Sequence, residues 1–401
     1  MKRPTIKWQA QSQLSEDSIH SLLIALLRGM AALQVAAAHL RAEVFPSLRA
    51  IEHPPLYYQG LAFATGFAHQ AVVVFFLVSG WLVGGSLLNK LGEPRAFAAY
   101  AIDRVTRLWT VLVPTMLIML IVASTTGGIA QSQAHSADPY SMLGFAGNLF
   151  GLQTIFVENF GGNYALWSLA NETWYYVAFP LLLLGLPGSG RMSQAGGVIG
   201  LVVLASLLPW AIILYFSLWL LGAAFARIRI DCGTGTRLVL VFLCAVLSVY
   251  YRIFGSNDDL LPASFMQDLI CSLPFLLLLS SLQIKIAPEA RLLHKLGRVA
   301  KFFSEFSFTL YVFHVPVIGL LRHVGRTAFG RDQLAPDRPL DYLVYLAMLT
   351  IILAMAYASY RVFESNTYLV RAKLKALLLR APAPSSQQVL ARPGLGDRGG
   401  R

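Results

Sequence analysis

The residues most able to do chemistry are a few ionisable side chains within long apolar stretches. They are Arg28, His39, His69, Glu172 and His314. An ionisable group inside an apolar helix is costly, so it usually faces the interior of a helix bundle and is a functional candidate by default. Histidine adds the ability to exchange a proton near neutral pH.

Arg28 and His39 form the clearest pair. They are eleven residues apart, and at about 100° per residue they return to within about 20° of three full turns, so both project from one face of a helix. At a rise of about 1.5 Å per residue, their Cα atoms would lie roughly 16 Å apart along the axis. The spacing predicts one functional stripe. A snorkelling arginine with an interfacial histidine is the alternative.

A second polar group opens a later apolar stretch at Trp167. Ser168 and Glu172 are four residues apart and share a helix face, with Tyr176 one turn further on. A carboxylate among aromatic side chains could orient a histidine or bind sugar hydroxyls. An ordinary aromatic belt with a solvated glutamate is the alternative.

A third stripe consists of Ser307, Tyr311 and His314, which lie four and seven residues apart and are followed by Pro316. A polar stripe in an apolar helix indicates a lined cavity more often than a lipid face. For His314, a hydrogen-bonded packing role is the alternative.

Arg104 and Arg107 are neighbours at i and i+3. Two guanidinium groups so placed could bind phosphates in a bidentate way. The alternative is membrane anchoring, since arginines are common at the cytoplasmic ends of spans.

The run 75–80, which contains Ser79, is followed by Gly84 and Gly85 and predicts a tight helix contact. His69 precedes this run as an isolated polar group, for which we expect a structural role.

Composition identifies the elements that must position these residues. Of 401 residues, 56% are hydrophobic and 13% are charged, whereas a soluble protein is about 45–50% apolar and about 25% charged. This excludes a disordered chain and a cytosolic enzyme. The net charge of +12 is spread over short gaps between apolar runs, so no nucleic-acid partner is expected. Three cysteines indicate neither a disulfide framework nor a metal site.

The sequence predicts an all-α polytopic membrane protein with about ten transmembrane helices in one bundle, since a crossing takes about 20 apolar residues. Its parts are a cytoplasmic segment 1–20, a membrane domain 21–370 and a basic, disordered tail 371–401. The apolar but glycine-rich stretch 141–157 is predicted to be interfacial or re-entrant. The ten spans are 21–40, 62–88, 108–130, 165–187, 194–208, 210–228, 236–252, 266–284, 302–321 and 341–363.

Charge distribution predicts the orientation. With the N-terminus inside, 24 Lys and Arg residues fall in cytoplasmic segments and seven in outer ones, which fits the positive-inside rule. An even number of spans then puts both termini in the cytoplasm, with the protein in the inner membrane. The outer seven are Arg41, Arg49, Arg252, Arg322, Arg326, Arg331 and Arg338.

The motifs, taken in order, resemble the membrane acyltransferase 3 family, and the resemblance covers about residues 20–370. Trp109-Thr110, Phe308 and Ser365-Asn366 depart from common family residues. The matching motifs are Arg28-x10-His39, Phe75-Phe76-x-x-Ser79-Gly80, Arg104-x-x-Arg107, Trp167-Ser168-Leu169-x-x-Glu172, Ser307-x-x-Leu310-Tyr311-x-x-His314-x-Pro316 and Arg361-Val362-Phe363-Glu364.

The resemblance implies transfer of a short acyl group, most simply acetyl, from acyl-coenzyme A to a hydroxyl of a carbohydrate or glycoconjugate. It implies no bound cofactor, with acyl-coenzyme A as co-substrate and membrane lipid as surroundings. His39 would be the base or an acyl carrier, Glu172 would orient it, and Arg28, Arg104 and Arg107 would hold the donor phosphates.

Ser79, Trp167, Ser168, Tyr176, Ser307, Tyr311 and His314 would line the pocket. The chain resembles the stand-alone form of the family, so any later step on the acceptor would need a separate periplasmic or secreted protein. A transporter or flippase for a sugar- or lipid-linked substrate is the alternative function, although no internal repeat is visible.

Overall fold

The fold is helical, apart from one short pair of strands. The computed structural model describes residues 3–12, 15, 17–129, 138–188, 190–256, 262–331 and 333–379. The strands are β1 (Thr5–Trp8) and β2 (Ile228–Asp231). The helices are α1 (Ile19–Val44), α2 (Leu56–Ala64), α3 (Ala68–Ser79), α4 (Gly85–Asn89), α5 (Ala96–Thr125), α6 (Met142–Leu149), α7 (Leu166–Gly185), α8 (Arg191–Leu207), α9 (Trp210–Phe225), α10 (Thr234–Phe254), α11 (Pro262–Ser281), α12 (Arg291–Glu305), α13 (Ser307–Phe329), α14 (Pro339–Val362) and α15 (Thr367–Leu378).

The all-helical membrane class is confirmed, but the predicted count of ten spans is too high. Among the described residues, seven helical stretches are long and apolar enough to cross a membrane. They correspond to the first three and the last four predicted spans. Helices α8 and α9 have 17 and 16 residues, short of the usual crossing of about 20. Helix α7 has 20 residues but carries Asn171 and Glu172, which lower its apolar character.

Several predicted boundaries also move. The third span begins at Ala96 rather than residue 108, so Arg104 and Arg107 lie inside α5. The ninth begins at Ser307, because the chain breaks at Phe306 after the separate helix α12. In the stretch 141–157, helix α6 covers only eight residues. The predicted tail is helical through Leu378, and residues 380–401 lie outside the described part.

The second predicted span contains a π-helical turn where a tight contact was expected. A π-helical turn, Gly80–Gly84, joins α3 to α4, and this turn packs against α9. A Cβ atom added at Gly84 would lie 2.5 Å from the Cβ of Ala223. The small-residue seam therefore brings two backbones together, as predicted.

Segments predicted to share the cytoplasmic side meet at one end of the bundle. Strand β1 pairs antiparallel with β2, and Ser18 forms a bridge with Lys285. The Asp231 carboxylate forms an ion pair with Nζ of Lys7 at 2.7 Å. Hydrogen bonds from Lys7 and Arg229 lower the pKa of the Asp231 carboxyl. At the same end Asp103 binds Lys375 at 2.7 Å, which ties α15 to α5.

Candidate active site

One cavity gathers most of the predicted site residues. It has a volume of about 590 Å³ and lies among α1, α3, α5, α7, α13 and the C-terminal helices. We call it the arginine cavity. Trp167 lies outside the lining and packs against the hydrophobic core, and His39 and His314 also lie outside it. The predicted residues that line it are Arg28, Ser79, Arg104, Arg107, Ser168, Glu172, Tyr176, Ser307 and Tyr311.

Arg107 is already paired. Its Nη1 atom lies 2.5 Å from Oε1 of Glu364, whose side chain is 1% exposed. The other carboxylate oxygen of Glu364 accepts a 2.5 Å bond from the Thr309 hydroxyl and a 3.2 Å bond from the Thr309 backbone N–H. This cluster ties α5 to α13 and to the end of α14. Arg107 therefore joins these helices and also lines the cavity.

Arg28 and Arg104 are less committed. Arg28 makes one long hydrogen bond of 3.4 Å to the Ser307 hydroxyl. The Arg104 guanidinium lies 5.7 Å from the Tyr100 ring centroid and 5.6 Å from that of Tyr176. In the part of the chain that the structure describes, no carboxylate binds Arg104. Both guanidinium groups can therefore receive an anion from solution.

Glu172 binds hydroxyl groups within the cavity. It accepts a 2.6 Å bond from Ser79 and another bond from Tyr176, and Ser79 in turn accepts from the indole of Trp219 at 3.2 Å. The predicted contact between Glu172 and His39 is not what the structure contains. The partner of His39 is another histidine.

The two imidazoles of His39 and His314 form a direct pair. Nδ1 of His39 lies 2.8 Å from Nε2 of His314, and the rings stack with centroids 5.0 Å apart. Nδ1 of His314 lies 3.1 Å from the carbonyl oxygen of Leu310. Helix α1 carries His39, and helix α13 carries His314 two residues before Pro316.

The Leu310 carbonyl determines where the protons of this pair reside. A carbonyl oxygen can only accept, so Nδ1 of neutral His314 carries a hydrogen and its Nε2 is an acceptor. Nδ1 of His39 must then donate, which leaves the lone pair of a neutral imidazole on Nε2 of His39. The arrangement holds His39 in the tautomer of a general base, with His314 as its orienting partner.

A second cavity, of about 560 Å³, lies beyond the histidine pair and is lined by Tyr140 and Tyr164. We call it the tyrosine cavity. The Tyr164 ring packs edge-on against His39 with centroids 5.0 Å apart. Glu43 lines this cavity and binds both Arg322 and the Tyr164 hydroxyl.

The histidine pair stands between the two cavities. On α1, Arg28 lines the arginine cavity and Glu43 lines the tyrosine cavity, with His39 between them. On α13, Tyr311 lines the first cavity, Val315 lines the second, and His314 separates them. Helix α5 contributes to both cavities as well. In the wall of the arginine cavity, the Tyr311 hydroxyl is 2.6 Å from that of Ser168, and the Tyr311 ring centroid lies 6.0 Å from that of His314.

Sequence reasoning did not single out two buried carboxylates, Glu364 and Asp268, as candidate site residues. Glu364 belongs to a quoted motif, but its pairing with Arg107 needs the tertiary structure. Asp268 lies in the predicted span 266–284, where any carboxylate is a signal. Both of its oxygens lie 2.9 Å from Nε2 of His69, so His69 is paired rather than isolated.

The family comparison agrees with the motifs. A family model described as an acyltransferase domain, Acyl_transf_3, matches residues 23–361. That range contains most of α1, both histidines of the pair and every predicted site residue. Comparisons with curated proteins and with solved structures gave no match.

Proposed function

Because the chain belongs to this acyltransferase family, we propose that it moves a short acyl group, most simply acetyl, from acyl-coenzyme A to a hydroxyl of a carbohydrate or glycoconjugate. The observation that carries the proposal is the contact of His39 with His314 between two cavities. Family membership favours this reaction over the transporter alternative.

The arginine cavity suits the donor. A nucleotide thioester carries several phosphate charges, and Arg28 and Arg104 line the cavity with guanidinium groups that have no carboxylate partner in the described chain. Planar guanidinium groups match phosphate oxygens in a bidentate way. About 16 Å of helix separates Arg28 from His39 at a rise of about 1.5 Å per residue. A flexible pantetheine arm can extend along that distance.

The histidine pair suits the chemical step. Nε2 of His39 accepts the proton of the acceptor hydroxyl while the hydroxyl oxygen attacks the thioester carbonyl. The carbon–sulfur bond then breaks, and the thiolate leaves with a thiol pKa of about 8.5, far below that of an alcohol. The proton from His39 finally neutralises the thiolate, so the products are the ester and free coenzyme A.

His314 supports this step by orientation. Its Nε2 accepts from Nδ1 of His39, which holds the ring and stabilises the imidazolium that forms. Glu172 supports the donor cavity, where it fixes the hydroxyls of Ser79 and Tyr176 beside Arg104. Transfer through a covalent acyl-His39 uses the same geometry, and rapid quenching with labelled donor and no acceptor tests for it.

The proposal is tested with purified protein in detergent, acetyl-coenzyme A labelled in the acetyl group and a panel of oligosaccharide acceptors. We expect label in at least one acceptor and release of free coenzyme A in equal amount. A matched preparation of His39→Ala controls for contaminating activity. If no acceptor is labelled while deletion traps unmodified glycan inside the cell, the protein exports its substrate and the proposal fails.

A further inference from the structure

We propose that the tyrosine cavity binds the acceptor, and that this acceptor is an oligosaccharide bearing a carboxylate or phosphate group. The inference rests on the proposed function, and it adds the location and charge of the second substrate. The cavity wall carries one carboxylate, Glu43, and two arginines, Arg322 and Arg326.

The carboxylate of the cavity wall is already occupied. Glu43 binds the Arg322 guanidinium and accepts a hydrogen bond from the Tyr164 hydroxyl. One turn beyond Arg322 on the same face of α13, Arg326 also lines the cavity. Among the residues that the structure describes, Arg326 has no anionic partner. The wall therefore presents one uncompensated guanidinium to whatever enters.

In the described part of the chain, four of the six other cations predicted for the outer side have partners, Arg322 among them. Arg331 pairs with Asp341 at 2.6 Å, Arg41 donates to the Thr65 hydroxyl at 3.0 Å, and Arg252 donates to the Ala62 carbonyl at 3.0 Å. Cations are disfavoured on this side of a membrane protein. An arginine that lines a cavity there without a carboxylate is therefore suited to an anionic ligand.

The position of Arg326 sets the length of that ligand. Arg326 is twelve residues after His314 on α13, or roughly 18 Å along the axis at about 1.5 Å per residue. Even with an extended arginine side chain, an acceptor that contacts both Arg326 and the base is expected to be longer than a single sugar ring. The acceptor must extend along the cavity, past Tyr140 and Tyr164, whose rings can stack on sugar faces. We therefore expect the acidic group and the acylated hydroxyl to belong to different residues of one oligosaccharide.

The test compares neutral oligosaccharides with matched ones that carry one uronic acid or one phosphate. The variants are Arg326→Gln and the control Arg49→Gln, an exposed outer arginine that lines neither cavity. A hydrogen bond to a charged group supports a KM increase of about tenfold or more for acidic acceptors in Arg326→Gln. The kcat for acidic acceptors and the KM for neutral ones should stay unchanged. Arg49→Gln should match wild type.

Binding is measured in parallel as the rise in Tm on addition of each oligosaccharide at constant ionic strength. We expect acidic members to raise the Tm of wild type and of Arg49→Gln, and not that of Arg326→Gln. The Tm without ligand checks whether Arg326 serves only the C-terminal dipole of its helix. Equal turnover and equal binding of neutral and acidic acceptors would overturn the inference while leaving the acyltransfer proposal intact. Absence of transfer to any acceptor would contradict the proposed function instead.

Discussion

Two histidines of this molecule, His39 and His69, have different partners and different surroundings. His39 pairs with His314, 275 positions away in sequence, and His69 pairs with Asp268, 199 positions away. Both join helices within the bundle. The first pair lies between two cavities. Neither pair lines a cavity itself, but residues on the two sides of His39 and His314 each line one of the two cavities. The second pair is enclosed by Tyr215, which donates to Asp268 and lies 2.9 Å from the Ser264 hydroxyl.

The difference shows how a partner decides what an imidazole can do. A neutral histidine partner that is itself fixed by a carbonyl leaves one ring nitrogen of His39 with a lone pair. A carboxylate that contacts Nε2 through both oxygens occupies that nitrogen of His69. This difference supports the proposed role of His39 in chemistry, whereas the contacts of His69 join α3, α9 and α11.

The largest expected effect comes from His39→Ala. Loss of a general base should lower kcat by about 10³-fold, within the range of about 10²–10⁴ for such groups, while the amount of folded protein stays normal. The measurement is turnover of labelled acetyl-coenzyme A by purified protein, with His53→Ala, in an exposed loop, as the matched control. Product near the wild-type level would remove His39 from the mechanism.

Asp268→Asn should affect folding rather than chemistry. The change weakens the buried acceptor that His69 and Tyr215 share, and a buried polar group left unsatisfied costs about 1–3 kcal/mol, so the Tm should fall clearly. The folded fraction should keep wild-type kcat and KM. If kcat drops while Tm is unchanged, the two histidine pairs do not divide the roles as described.

His314→Ala should have a smaller effect on activity than His39→Ala. The base remains but loses its orientation, so kcat should fall about 10–100-fold, as for other partners that orient a catalytic group. In His314→Gln the amide oxygen can stand near the former Nε2 and accept from His39, so part of the activity should return. Equal losses in the Ala and Gln variants would argue for packing alone.

Arg104 and Arg107 allow a similar comparison, because Arg107 is ion-paired with Glu364 and Arg104 has no carboxylate partner among the described residues. Arg104→Gln should raise the KM for acyl-coenzyme A about tenfold with little change in Tm, because it removes one charged contact. Arg107→Gln leaves the buried Glu364 without its ion pair, so its Tm should fall. Kinetics and thermal unfolding of both variants check this division. A reversed pattern would contradict it.

The smallest effect is expected at the exposed pair of Lys7 with Asp231. Its carboxyl has a lowered pKa, so the pair stabilises strand pairing above the ordinary carboxyl pKa and loses that effect as pH falls through the lowered value. Lys7→Gln should cost less than about 1 kcal/mol. Faster amide exchange in Thr5–Trp8 in Lys7→Gln, and in wild type at low pH, measures it. Unchanged exchange in both cases would mean that the backbone ladder alone holds the strands.

Much of the fold followed from pattern. Apolar runs predicted helices at all ten spans, and helices occur there, but α8 and α9 are too short for simple crossings. Run length cannot reveal a break such as Phe306, because the apolar residues continue on both sides of it. The π-helical turn at Gly80 likewise results from packing against α9.

For the candidate site, the sequence predicted which residues share a helix face, but not which of them contact each other. Helical spacing placed Arg28 and His39 on one stripe and Ser307, Tyr311 and His314 on another, because a helix repeats every 3.6 residues. It could not tell which stripes face each other. Glu172 was therefore expected beside His39, where the structure has His314.

The amino-acid sequence by itself determined the environment, the helices and which residues carry the family motifs, since these depend on composition and local periodicity. Only the tertiary structure decided that one imidazole contacts another, that Glu364 holds Arg107 and that the histidine pair lies between residues of two cavities. Those contacts join positions as much as 275 residues apart. Their geometry depends on how whole helices pack, which no local pattern encodes.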